Sequence, residues 1–169
     1  TAGTFDASSR TITLAGSGTP FVKTGAFTPS SSTVIYTGAT GADVTAATYN
    51  NLQVNQAGQT FTAAGNITVN GVFTITAGTF GVAGTTLTLA GSGTPFVITG
   101  TFAASTSTVV YTGTSATNVA ATTYNNLTVN SGGVTFTAAG NLTIAGDLTV
   151  SAGTLDLSTF TANRTASGG

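Results

Sequence analysis

NLTIAGDLTVSAGTLDL, residues Asn141–Leu157, holds three triplets of the form apolar–X–apolar: Leu142-Thr143-Ile144, Leu148-Thr149-Val150 and Leu155-Asp156-Leu157. Alternation over so few residues reads as a half-buried strand whose outer residues face a core. The stretches between the triplets, Ala145-Gly146-Asp147 and Ser151-Ala152-Gly153-Thr154, hold turn formers, and glycine takes positive φ without steric cost. The same triplet recurs upstream at Phe80, Leu87, Phe96, Val109, Leu127 and Val134, mostly six to nine residues apart.

Strands this short and this close leave little room for the long crossings of a Greek-key sandwich. They suit a coil of three short faces that hydrogen-bonds to the coil above and below it. Leu127 and Leu148 are separated by the same length of chain as Val134 and Leu155, a plausible circuit of one coil. The sequence therefore predicts an all-β chain folded as a right-handed parallel β-helix (β-solenoid). The alternative is two small β-sandwiches. Alternation lapses over Thr112–Asn126, where a longer loop is expected.

A longer period lies above the triplets. TLAGSGTPFV at Thr13–Val22 returns unchanged at Thr88–Val97. Sliding the chain along itself until Thr1 meets Thr76 aligns 1–75 with 76–150 without a gap, at 46 of 75 identical positions. AGTF at Ala2–Phe5 and Ala77–Phe80 returns as AGTL at Ala152–Leu155. The reading is two full copies, 1–75 and 76–150, and the start of a third over 151–169, all in one continuous solenoid. A fixed period of this kind sets the architecture of repeat proteins. At about 4.8 Å per coil, three to four coils per copy give a rise of about 15–19 Å. Ten or so strands per copy do not divide by three, so either one coil is irregular or the repeat rotates about the axis.

Composition narrows function. Only 4% of residues are charged, against about 25% in an average globular domain. Cys, Met, Trp and His are absent, and the net charge is −1. Three basic residues, Arg10, Lys23 and Arg164, give no footprint for nucleic acid. No apolar run is long enough to span a membrane as a helix. With no Met and no signal peptide, a processed chain or an excerpt of a larger one is expected.

Catalysis fares poorly, and the chain reads as a non-enzyme without metal or cofactor. Zinc ligands of the His/Cys type are lacking. The carboxylates do not repeat between the two full copies: Asp6 aligns with Gly81, Asp43 with Asn118 and Asp147 with Val72. Asp156 recovers Asp6 in the third copy, and an Asp147/Asp156 pair would be the one hydrolytic option. Lys23 becomes Ile98, and the GSG of the decapeptide lacks the GK[ST] of a phosphate loop, so it reads as a turn stiffened by Pro20 and Pro95.

Three surface readings remain. Tyr36/Tyr111 and Tyr49/Tyr124 recur in both copies with the pairs Asn50-Asn51 and Asn125-Asn126. They read either as a sugar-stacking platform or as tyrosines packed at strand ends and asparagines satisfying corner backbone. Sequons start at Asn66, Asn126, Asn141 and Asn163, about as many as chance gives in so Thr-rich a chain, and mark possible glycosylation sites. Outward Thr in runs such as Thr86-Leu87-Thr88 would suit ice binding if every coil showed Thr on the same face. The wandering spacing argues against it, and Thr also simply favours strands.

The stretches TSTVVYTGTSATNVAATTYNNLTVN (Thr106–Asn130), GVTFTAAGNLTIAGDLTVSAGTLDL (Gly133–Leu157) and FTANRTASGG (Phe160–Gly169) resemble the tandem β-helical modules of giant secreted bacterial cell-surface proteins, adhesin-like and filamentous-haemagglutinin-like. The resemblance implies a secreted, elongated stalk or fibre at the cell surface and brings no catalytic residues with it. The expected partners are copies of the chain itself, head to tail, or covalently continuous repeats, with surface glycans as a further option.

Overall fold

The computed structural model describes residues 2–165, so the tail of the third copy, 166–169, lies outside the described residues. It is all-β with no helix among these residues, and every strand pair in it is parallel. The chain winds as a β-solenoid of about eight coils. The antiparallel hairpins of a sandwich do not occur among the described residues.

Three parallel ladders form the faces, and the chain visits them in fixed order. On the first face Leu87 sits between Ile67 and Val109, and Leu127 continues the column from Val109 to Leu148. On the second, Ile12, Val34, Leu52, Phe73 and Phe96 stand in register. The third carries Ala42, Phe61, Phe80 and Phe102. Inward residues of all three faces meet in one core, with Val54, Val69, Phe80, Leu89, Val109, Val129 and Ile144 at 0% exposure.

The ladders resolve the arithmetic of the repeat. Val34 lies on the second face, but its equivalent in the second copy, Val109, lies on the first. Phe61 is on the third face, and its equivalent Phe136 pairs with Thr117 and Leu155, beneath the bridge from Gly93. One copy thus spans three coils and two thirds of a fourth, and each copy is turned by a third of a revolution relative to the last. At about 4.8 Å per coil the axial step is about 18 Å. The boundary between copies, residues 75/76, falls inside the strand Phe73–Gly81, so no linker separates them.

Two local expectations change. The Thr112–Asn126 stretch is not a long loop: it contains the strands Thr117–Val119 and Thr123–Tyr124, both paired. Leu155 stacks on Phe136, not on Val134. The cause is a corner in which Ser131–Val134 of one coil lie over Gly153 alone in the next, between the pairs Asn130↔Ala152 and Thr135↔Thr154. The GSG turn is as expected, with Gly18 and Gly93 at φ +65° and +71°.

Candidate functional site

The tyrosines do not face solvent. Tyr36, Tyr49, Tyr111 and Tyr124 are all 0% exposed, so no ring face is open to a sugar, which corrects the platform reading. Instead they close a circuit across the core. The amide of Thr45 donates to Tyr36 Oη (3.3 Å), Tyr36 Oη and Tyr49 Oη are 3.1 Å apart, and Tyr49 Oη donates to the Thr45 carbonyl (2.8 Å). A phenol has one proton, so Tyr36 must be the donor to Tyr49. The second copy repeats the circuit with Ala120, Tyr111 and Tyr124 at 3.1, 2.9 and 2.7 Å. Two phenols thereby satisfy both backbone groups of one half-buried corner residue. Burial, followed by the neighbouring phenol, holds the Tyr49 and Tyr124 hydroxyls well above their ordinary 10.0, and burial pushes Tyr111 up to about 12.

The asparagines are coil-to-coil ties. Asn51 Nδ2 reaches Thr33 Oγ1 in the coil above (3.4 Å) while its Oδ1 accepts the Val72 amide below (2.9 Å). Asn126 repeats this with Thr108 Oγ1 (3.3 Å) and the Asp147 amide (2.9 Å). Asn50 and Asn125 reach the carbonyls of Ser32 and Ser107. Of the sequons, Asn126 is half-buried with its amide nitrogen engaged, whereas Asn66, Asn141 and Asn163 are exposed. Asn66 and Asn141 accept the amides of Thr86 and Thr161 from the following coil.

Each carboxylate of the hydrolytic option has its own local duty. Asp156 Oδ1 accepts the Ser158 amide (2.8 Å), as Asp6 accepts that of Ser8 (2.8 Å), each shaping a turn whose serine has positive φ. Asp147 pairs with Arg164 at 2.9 Å.

What the sequence hid is a threonine file. On the first face Thr48, Thr68, Thr88, Val110, Thr128 and Thr149 are consecutive outward partners, coil upon coil. On the third, Thr60, Thr79 and Thr101 align, as do Thr123 and Thr143. The uneven spacing of the sequence is absorbed at corners, so Thr stays over Thr. No charged residue occurs between Asp43 and Asp147, so this surface is neutral along most of its length.

The fold defines a β-solenoid repeat protein. No protein-family model, curated protein or solved structure matches the chain. The likeness to secreted adhesin-like modules therefore stands on the stretches quoted from the sequence alone.

Proposed function

We propose that the chain is a load-bearing segment of an extracellular, cell-surface fibre or adhesin stalk, without catalytic activity or cofactor. The observation that carries this reading is the strand Phe73–Gly81, which runs through the boundary between copies without interruption. Stability in such an array grows with the number of coils, because each contacts only its neighbours. Tandem fusions of the chain should lengthen linearly in electron micrographs and small-angle scattering, by about 18 Å for each added copy of the repeat. Immunogold labelling of the producing cells should decorate outer fibres. Globular fusions, or label confined to the cell interior, would reject the reading.

A second reading, ice binding, is favoured by the threonine file on the first face. Rows of hydroxyl and methyl groups at the strand spacing of about 4.8 Å present a regular, uncharged lattice to water. Thermal hysteresis should then be measurable and be lost in Thr68→Tyr and Thr88→Tyr, but kept in Thr74→Tyr on the second face. Equal freezing behaviour of all four proteins excludes it.

A further inference from the structure

Asn70 is the one asparagine of the chain followed by glycine, and it lies in the corner between the strands Ile67–Val69 and Phe73–Gly81. Its side chain is exposed, and among the described residues no group hydrogen-bonds its carboxamide. The backbone at this corner is tied to the coil above through three successive amides. Asn70 donates to the Tyr49 carbonyl (2.9 Å), Gly71 to the Asn50 carbonyl (2.8 Å) and Val72 to Asn51 Oδ1 (2.9 Å). We propose that Asn70-Gly71 is a self-modifying site, at which attack by the Gly71 nitrogen turns Asn70 into aspartate or isoaspartate, and that the closed coil holds this reaction back.

The chemistry needs only water and hydroxide. Hydroxide takes the proton of the Gly71 amide, and the nitrogen bonds to Asn70 Cγ. The bond from Cγ to Nδ2 breaks, ammonia leaves and a five-membered succinimide remains. Water then opens the ring at either carbonyl, giving aspartate or an isoaspartate whose main chain runs through Cγ. One water is consumed for each ammonia released. Glycine makes the attack easiest, because it has no Cβ to hinder the ring. The ties oppose it: closing the ring swings the Gly71 nitrogen off the Asn50 carbonyl and onto Cγ. Conversion must therefore wait for the corner to open locally.

The second copy shows that the fold asks for the glycine and not for the asparagine. Ala145, Gly146 and Asp147 donate in the same way to the Tyr124 carbonyl (2.9 Å), the Asn125 carbonyl (2.8 Å) and Asn126 Oδ1 (2.9 Å). A Cβ on Gly71 would collide with Asn51 Oδ1 and lie 3.0 Å from the Asn50 carbonyl oxygen. One on Gly146 would meet Asn126 Oδ1 and lie 3.1 Å from the Asn125 carbonyl oxygen. The same crowding leaves no place for the extra main-chain carbon of isoaspartate, so a corner that has reacted cannot remake its bonds to Asn50 and Asn51. Conversion also puts a negative charge into the stretch between Asp43 and Asp147, which carries none.

The test is peptide mapping by mass spectrometry of the whole chain, aged in mildly alkaline buffer with and without enough guanidinium chloride to remove its β signal in circular dichroism. In the unfolded chain Asn70 should convert faster than any other asparagine. In the folded chain its conversion should be at least about tenfold slower, by the factor that the opening equilibrium sets. Ala145→Asn should create a second site with the same behaviour. Asn51→Ala should speed conversion of Asn70 in the folded chain, and Asn126→Ala should not. An unfolded chain in which Asn70 stays intact removes the site, and equal rates in the folded and unfolded chains remove the gate. Should Asn51→Ala lose its β signal, the parent decides in low denaturant: hydrogen exchange at the Gly71 amide and conversion of Asn70 should rise in step. Conversion that does not follow that exchange overturns the proposal.

Discussion

Gly78→Ala should destabilise the solenoid by about 3 kcal/mol, lowering the melting temperature by roughly 6–12 °C for a chain of this size. Gly78 turns the strand Phe73–Gly81 from the second face to the third, with φ at +85°. At this corner Gln56–Gln59 of the coil above crowd over a single residue. A Cβ on Gly78 would lie 2.7 Å from the Gln59 carbonyl oxygen and would also meet that of Gln56. Both are backbone atoms of a neighbouring coil and cannot swing aside. The strain of a left-handed alanine adds to that clash. Gly132→Ala is the control: nothing lies within 4 Å of its Cβ and its φ is not positive, so its effect should stay within about 0.5 kcal/mol. Calorimetry of the two variants beside the parent checks the pair. Equal melting temperatures would remove the corner from the account.

Alkali should unfold the protein where acid has little purchase on the core. Tyr49, Tyr111 and Tyr124 have folded pKa values above the unfolded value of 10.0, so their protonated form belongs to the folded state. Their contribution is fully present below pH 10.0 and is lost as pH climbs toward the folded values, about 12 for Tyr111. For Tyr111 alone the loss is roughly 3 kcal/mol, and Tyr49 and Tyr124 act in the same direction. Phenolate absorbance from these three should therefore appear only above pH 10, in one step with loss of the β signal in circular dichroism. Titration of these three near pH 10 in the folded state would mean that the tyrosine circuits are open to water. Tyr49→Phe should move the step to lower pH, since it leaves the Thr45 carbonyl and the Tyr36 proton unpaired in the core.

Much of this architecture was legible in local pattern. The triplets mark strands because an inward–outward–inward alternation is all that a one-coil rung needs, and Leu127 does stand over Leu148. The rotating repeat was one of two outcomes that the strand count allowed. The Val134–Leu155 pairing failed because sequence distance does not reveal how many residues a corner consumes. Ser131–Val134 fill a corner that Gly153 fills alone in the next coil. The same blindness hid the threonine file, whose members are a whole coil apart along the chain, by unequal steps, yet adjacent in space. It also left Tyr36 and Tyr49 open to two readings. Their complete burial and the closed ring of hydrogen bonds through Thr45 show that these phenols look inward.

The third-of-a-revolution offset between copies bears on how such a rod flexes. Corners with extra residues, like Gln56–Gln59 above Gly78 and Ser131–Val134 above Gly153, interrupt its coil-to-coil ladders, and they fall on different sides in successive copies. A shaft whose soft points lay along one edge would bow under load like a warped plank. In a longer array of this repeat the weakness would precess, coming back to the same azimuth only after three copies, so such a rod would resist a sideways pull alike from every direction.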